Sequence, residues 1–224
     1  GDGNTTTNPE PLNIYSNAGN FTVTLTASGA GGTNVLARTN YILVLKPAQL
    51  LVSPVTLDFG NVLTGRLAHA SFVVSNAGDV TLSATATITL APFSLLDATS
   101  NTVPSLAFDA PTLGATNLIV RFAPDAVGAF SNVVVFVSNG GDATNILAGM
   151  GVGAPLILWP ALDGIDFTFA FDTAAGLTYE VKFKDSLDDP VWQTLQTVPG
   201  DGSQKIITNS IVTPAQRFYR LRVE

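Results

Sequence analysis

In the stretch SFVVSNAG, residues 71–78, the apolar side chains Phe72 and Val74 occupy alternate positions, and a turn sequence follows at once. In an extended chain Phe72 and Val74 point to one face together with Ala70, whereas His69 and Ser71 point to the other. Such period-two alternation predicts a strand with one buried face. The Asn-Ala-Gly sequence that ends the stretch is typical of a turn.

The same alternation recurs along the chain. It is found in FTVTLTAS (residues 21–28), NVVVFVSNGG (132–141), EVKFKD (180–185) and RFYRLRVE (217–224). No apolar set at helical spacing persists for three turns with a cap, so the sequence predicts no helix. We therefore expect an all-β chain in which strands at this spacing form β-sandwiches.

Composition excludes several classes of function. The 224 residues carry a net charge of −7, from 10 basic and 17 acidic residues spread along the chain, which argues against a nucleic-acid surface. The absence of cysteine excludes disulfides and thiol nucleophiles. The uncharged stretch 144–162 contains three glycines and two prolines, so we expect strand, hinge and strand there rather than a membrane span.

Proline and glycine divide the chain into three pieces, 1–46, 47–153 and 154–224. The first ends at Lys46-Pro47, the second ends with GMGVG, and the third begins at Ala154-Pro155. Because the connections are short, we expect modules that sit end to end with restricted bending.

The first piece resembles the second half of a polycystic-kidney-disease (PKD) domain, an Ig-like sandwich of secreted bacterial enzymes and surface proteins. The resemblance rests on Gly1-Asp2-Gly3, Tyr15-Ser16-Asn17-Ala18-Gly19 and Phe21-Thr22-Val23-Thr24-Leu25. It implies that residue 1 lies inside a longer protein and that residues 1–46 lack their covering sheet. We therefore expect Phe21, Val23 and Leu25 to pack on the second module, to pair between copies in self-association, or to stay partly exposed.

The second piece resembles the abnormal-spindle/hydin type of Ig-like module, which also occurs in choice-of-anchor surface proteins. The matching residues are Leu57-Asp58-Phe59-Gly60, Phe72-Val73-Val74-Ser75-Asn76-Ala77-Gly78, Val120-Arg121-Phe122-Ala123-Pro124, Gly128-Ala129-Phe130 and Leu147-Ala148-Gly149. This resemblance implies a sandwich used as a spacer or protein-binding module. The third piece is loosely similar to short β modules at the C-termini of large secreted proteins of environmental bacteria. The predicted fold is therefore a tandem of Ig-like β-sandwich modules arranged end to end.

Four cations form the candidate binding surface, namely Lys182, Lys184, Arg220 and Arg222. If their two strands are neighbours, the four side chains share one face and can hold an anionic polysaccharide or an acidic partner surface. The alternative is a solvated sheet face on which Glu180 neutralises part of the charge and the lysines protect an edge strand.

The two tryptophans, Trp159 and Trp192, offer another kind of contact. Exposed aromatic side chains stack on sugar rings, but tryptophan is usually highly buried. In PVWQTLQTV the alternation places Trp192 opposite Leu195, which leaves its burial open. We take Trp192 as the best single candidate for a contact residue.

The candidate metal ligands are Asp185, Asp188 and Asp189, in DSLDDP. Carboxylate oxygens suit calcium, but the stretch lacks the D-x-D-x-D-G spacing of a calcium loop, and aspartate also caps turns. We therefore expect no cofactor, with calcium at these aspartates as the alternative.

No catalytic residue is predicted. The single histidine, His69, is expected on a solvated strand face without an oriented nucleophile. Asp163 and Asp166 lie in a predicted turn, where aspartate is favoured for turn formation rather than for glycoside hydrolysis.

These observations predict a non-catalytic spacer, display or adhesion region of a larger secreted or surface-attached bacterial protein, extracellular or at the cell surface. One alternative is a carbohydrate-binding accessory module of an extracellular enzyme. A second alternative is a protein-interaction module. The expected partners are a polysaccharide or another surface protein.

Overall fold

The computed structural model describes residues 1–212 and 216–224. All secondary-structure elements within these residues are β-strands, which confirms the all-β prediction. The described residues contain no helix long and apolar enough to cross a membrane. The strands form five separate sheets.

The first sheet is a two-stranded antiparallel hairpin. It consists of β1 (Gly19–Gly29) and β2 (Gly32–Val44). Gly29 pairs with Gly32 at its tip, so the turn is two residues long, as the glycine-rich sequence favours. No other sheet pairs with this hairpin in the described structure, and Leu25 is 64% exposed.

Two five-stranded sheets follow. The first contains, in spatial order, β3 (Leu50–Ser53), β5 (Ala68–Asn76), β10 (Ala115–Phe122), β7 (Phe93–Leu96) and β8 (Thr102–Val103). The second contains β4 (Thr56–Leu63), β12 (Ala143–Val152), β11 (Gly128–Ser138), β6 (Leu82–Thr87) and β9 (Ser105–Ala110). All pairs are antiparallel except β12 with β4.

The inner faces of these two sheets form the larger core. Phe72 and Val74 are fully buried, as the alternation in SFVVSNAG predicts, and His69 is exposed. Phe72 of β5 meets Phe136 of β11 edge to face, with ring centroids 6.0 Å apart. The two sheets are therefore packed face to face as a β-sandwich.

Two three-stranded sheets complete the chain. One contains β13 (Leu158–Asp163), β14 (Asp166–Asp172) and β17 (Gln204–Ser210), and the other contains β16 (Gln193–Pro199), β15 (Thr178–Lys184) and β18 (Phe218–Val223). Their common core contains Phe169, Phe171, Tyr179, Val181 and Ile207. The uncharged stretch 144–162 is strand, connection and strand, as predicted, because β12 ends at Val152 and β13 begins at Leu158.

The tandem Ig-like β-sandwich arrangement predicted from the sequence agrees with these sheets. Each sheet lies within one of the three predicted pieces, 1–46, 47–153 and 154–224. The exact boundaries between the pieces stay predictions.

Candidate functional site

The four candidate cations lie on two adjacent strands. β15 pairs antiparallel with β18, and Lys182 is directly opposite Arg220. Glu180 is likewise opposite Arg222. Directly opposed residues of an antiparallel pair point to the same face. The two strands are therefore neighbours, as a shared cationic surface requires. We call this surface, made by Lys182, Lys184, Trp192, Arg220 and Arg222, the cationic face.

The two lysines of the cationic face are buried, although we expected solvated side chains. Lys182 is 9% exposed and Lys184 8%. Lys182 Nζ donates to Thr194 Oγ1 at 3.0 Å and lies 3.2 Å from Glu180 Oε2. Lys184 Nζ donates to the carbonyl oxygen of Asp189. A buried ammonium needs such partners. Glu180 lies on the same strand, whereas Thr194 and Asp189 lie on the neighbouring strand and in the loop after β15, which the alternation within one strand does not reveal.

Trp192 covers this cluster immediately before β16. The Arg220 guanidinium carbon lies 4.4 Å from the indole centroid, and Lys184 Nζ lies 5.3 Å from it. These distances are those of cation–π contacts. Trp192 is half-buried, so the burial that the sequence left open is now explained by its contact with the two cations.

Of the remaining cations, Arg222 is shared between carboxylates. Its Nη1 lies 3.3 Å from Glu180 Oε2, and its Nη2 lies 3.5 Å from Glu224 Oε1. Arg220 is exposed and takes part in none of the ion pairs found in the described residues. The cationic face therefore presents guanidinium groups to solvent and keeps its ammonium groups beneath the surface.

The other tryptophan, Trp159, is the more exposed of the two. It is 70% exposed and has a positive φ of 49°, in an irregular part of the β13–β14 pair between Leu158 and Ala161. A bulky side chain rarely adopts this left-handed conformation. Trp159 is therefore the natural comparison for any role assigned to Trp192.

Asp185, a candidate calcium ligand, is paired with Arg217. Arg217 Nε lies 2.6 Å from Asp185 Oδ1, and its Nη2 lies 3.2 Å from Oδ2. This bidentate hydrogen bonding raises the pKa of the arginine above its ordinary value. The guanidinium also donates to Asn209 Oδ1 and lies over the Phe183 ring. Tyr219 donates to the same Asn209 oxygen at 2.7 Å, and burial raises the pKa of this tyrosine.

The other two candidate calcium ligands are placed differently. Asp189 Oδ2 accepts a hydrogen bond from the Ser186 amide at 3.1 Å, whereas Asp188 is exposed. In the described part of the chain, no three acidic or imidazole side chains come together as metal ligands. Asp189 therefore caps a turn, which was the alternative to calcium binding, and Asp185 forms an ion pair with Arg217.

His69 lies in a different sheet from Asp163 and Asp166. His69 is exposed on β5, directly across from Arg121 on β10. Asp163 and Asp166 oppose each other at the tip of the β13–β14 hairpin, where Ser210 donates to Asp166. These carboxylates therefore take the turn position that the sequence favoured.

An open pocket of about 430 Å³ lies beside the cationic face. It is lined by Arg220 and Arg222 from β18, by Pro155 from the connection before β13, and by Leu63 and Arg66 from the end of β4 and the turn after it. We call it the joint pocket. Sequence reasoning missed Arg66, because the pattern within one strand cannot show which residues of another module lie next to it.

No family model matches the chain, and no curated protein matches it. Among solved structures, the ASH/PapD-like domain 7 of human CEP192 is 12% identical over 48% of this chain and 88% of that chain, with a TM-score of 0.39. WR4, an MSP family member from C. elegans, is 11% identical over 47% of this chain and 99% of that chain, with a TM-score of 0.32. A protein of unknown function from Porphyromonas gingivalis W83 is 12% identical, covering 62% and 68%, with a TM-score of 0.39. These neighbours include PapD-like and MSP domains of the Ig-like sandwich kind.

Proposed function

We propose that the chain is a non-catalytic spacer or display region of a larger secreted or surface-attached bacterial protein, which keeps neighbouring modules at a set separation. The observation that supports this proposal is the connection between the hairpin and the sandwich. β2 ends at Val44 and β3 begins at Leu50, so only five residues join them.

This connection is tied to the sandwich by hydrogen bonds. The Lys46 amide donates to Asp79 Oδ2 at 3.0 Å, and the Asp79 amide donates back to the Lys46 carbonyl oxygen at 2.9 Å. Gln49 makes a similar exchange, donating to Asn76 Oδ1 and accepting from the Ala77 amide. Hydrogen bonds to the sandwich at two points of a five-residue segment restrict its bending.

Close packing adds to this restriction. Ala48 is buried, and Gly78 lies so near the connection that a Cβ at this position would come within 1.9 Å of the Pro47 carbonyl oxygen. The turn that ends SFVVSNAG therefore also packs against the connection from the hairpin. We infer that such a braced connection transmits the orientation of one module to the next, as a spacer requires.

Spin-label distances test the spacer proposal. Because the chain has no cysteine, cysteines introduced at the exposed positions Thr26 and Ser131 are its only labelling sites. We expect one narrow distance distribution by double electron–electron resonance. Asp79→Ala should broaden it, because the variant loses the carboxylate that accepts from Lys46. A broad distribution in the parent chain would contradict the proposal.

Polysaccharide binding is the second candidate function. It is favoured by the cationic face, on which an indole and an exposed guanidinium lie 4.4 Å apart. Aromatic rings stack on sugars and guanidinium groups bind oxyanions, so the pair suits a charged glycan.

Retention on insoluble polysaccharides, with and without calcium, tests the second function. We expect Trp192→Ala to reduce retention and the matched Trp159→Ala to leave it unchanged. Loss of retention in Trp159→Ala alone would place the contact on the opposite sheet and refute the role of Trp192. If retention required calcium, a calcium site at Asp185, Asp188 and Asp189 would be supported.

The family assignments remain proposals of the same kind. The hairpin is proposed to be part of a PKD-like module, and residues 47–153 an abnormal-spindle/hydin-type module. A protein-interaction role of the chain is a third proposed function, and self-association between copies through residues 1–46 is proposed separately.

A further inference from the structure

We propose that the joint pocket binds the oxyanion groups of an acidic polysaccharide, with Arg66 and Arg220 as the principal anion-binding residues. The proposal rests on the second proposed function, polysaccharide binding. It assigns the main contact with the glycan to the arginines between the modules rather than to the indole of Trp192. It also makes binding depend on two modules at once, since Arg66 and Arg220 belong to different sandwiches.

Charge is the first argument. The chain is acidic overall, with only 10 lysines and arginines among 224 residues, yet three arginines line this one pocket. Arg66 and Arg220 are exposed, and neither joins an ion pair among the described residues. Guanidinium groups without carboxylate partners attract anions, and their planar forks match carboxylate and sulfate groups.

The backbone of β18 is the second argument. β18 is an edge strand of its sheet, and Arg220, Leu221, Arg222 and Val223 line the pocket in succession. An edge strand presents peptide groups that have no partner in the sheet. Hydroxyl groups of a glycan can both donate to and accept from these peptide groups, while its charged groups contact the arginines.

The apolar lining is the third argument and favours a glycan over an acidic peptide. Leu63, Pro155 and Val223 provide apolar surface in the pocket, and the ring of Trp192 contacts Arg220. Sugar rings offer apolar C–H faces for such contacts directly beside their charged substituents. The volume of about 430 Å³ lies in the range of small-molecule sites, roughly 300–1,000 Å³.

Titration with soluble oligosaccharides tests the proposal. Isothermal titration calorimetry on the full chain would compare a galacturonate oligomer, a sulfated oligosaccharide, a neutral gluco-oligosaccharide and an oligoglutamate peptide. We expect saturable binding of an acidic oligosaccharide, weakening as salt rises because charge pairing is screened. Arg66→Gln should weaken it about tenfold or more, the size of one lost charged contact.

Arg38→Gln is the matched control. Arg38 is an exposed arginine of the hairpin that lies over Tyr41, away from the joint pocket, so binding should be unchanged. Arg66 lies in an exposed turn, and urea unfolding of both variants would check that the fold is intact. Equal weakening in both variants would indicate general charge attraction and overturn the assignment of the pocket.

The remaining outcomes separate this inference from the proposed function. Equal affinity for the neutral oligosaccharide, or preference for oligoglutamate, would overturn the acidic-glycan assignment. Retention on a polysaccharide that depends on Trp192 but not on Arg66 would refute the joint pocket and leave the second function in place. Acidic-oligosaccharide binding that depends on Arg66 but not on Trp192 would support the pocket and refute the tryptophan contact.

Discussion

Strands of the hairpin and of the sandwich both carry apolar side chains at every second position, yet they reach different structures. In FTVTLTAS the side chains between these positions are threonines, whereas in NVVVFVSNGG they are valines, and both stretches form strands. In the second stretch Phe136 is fully buried, whereas in the first Leu25 is 64% exposed. The difference lies outside the strands, because β11 faces a second sheet and β1 does not.

This contrast separates two properties that alternation is often taken to predict together. A period of two fixes which side chains share a face, since successive side chains of a strand point to opposite sides. Burial requires a second layer, which only the rest of the chain or a partner can supply. Substitutions that match residue type across the two regions can therefore measure what the second layer contributes.

The largest expected difference is between two leucine truncations. Leu147 is fully buried in the sandwich core, and Leu25 is largely exposed on the hairpin. We expect Leu147→Ala to lower the free energy of unfolding by about 2–5 kcal/mol, because it leaves a cavity among packed side chains. Leu25→Ala should change it by less than about 0.5 kcal/mol. Urea unfolding followed by circular dichroism measures both, and equal losses would show that the hairpin is buried in solution.

A second comparison uses two turns of similar sequence, Ser75-Asn76-Ala77-Gly78 and Ser138-Asn139-Gly140-Gly141. Asn76 is 2% exposed; its Oδ1 accepts from two backbone amides, and its Nδ2 donates to the Val80 carbonyl oxygen at 2.8 Å. Asn139 makes similar backbone contacts but is exposed.

We expect Asn76→Ala to cost roughly 2–4 kcal/mol, because several buried groups lose their partner and water cannot replace it. Asn139→Ala should cost about 1 kcal/mol or less, because water reaches the groups it leaves. The same urea titration measures both variants. A cost of similar size at the two asparagines would mean that burial does not set the value of these hydrogen bonds.

The hairpin exposes apolar side chains on both of its strands. Leu25 and Leu36 face each other across β1 and β2 and are 64% and 56% exposed. If copies of the chain cover this surface, sedimentation velocity should show an association that grows with concentration. Leu25→Lys with Leu36→Lys should weaken it about tenfold or more, because like charges would meet where apolar surface was buried. A monomer at every concentration in the parent chain would refute self-association.

The sequence allowed the strands and their inward faces to be predicted, because both depend on neighbouring residues. Phe72, Val74 and Val181 are buried as the alternation indicated. The buried state of Lys182 could not be predicted, because its partner Thr194 lies on another strand and the register shifts between Val181 and Lys182. For the same reason the joint pocket could not be predicted.

The smallest effect is expected from the pH dependence of stability at two Gly-Asp-Gly turns. One turn precedes the hairpin and the other lies in the last module. Hydrogen bonds from Asn13 and from Asn4 lower the pKa of Asp2. Hydrogen bonds from Lys205 and Ser203 lower the pKa of Asp201, and its Oδ2 lies 2.6 Å from Lys205 Nζ. A carboxyl whose pKa is lower in the folded state stabilises the fold above its unfolded pKa, about 3.9, and this stabilisation is lost as the pH falls toward the folded value.

We therefore expect the last module to lose stability below about pH 4, with a smaller loss in Asp201→Asn, which has no carboxyl to protonate. Both tryptophans, Trp159 and Trp192, lie in this module, so their fluorescence during urea unfolding reports on it alone. Asp2→Asn is the matched control and should leave the fluorescence midpoint unchanged, because its partners Asn4 and Asn13 precede the hairpin. A shift of that midpoint in Asp2→Asn as large as in Asp201→Asn would show that the hairpin region and the last module unfold together. The contrast between an uncovered hairpin and packed sandwiches would then no longer hold.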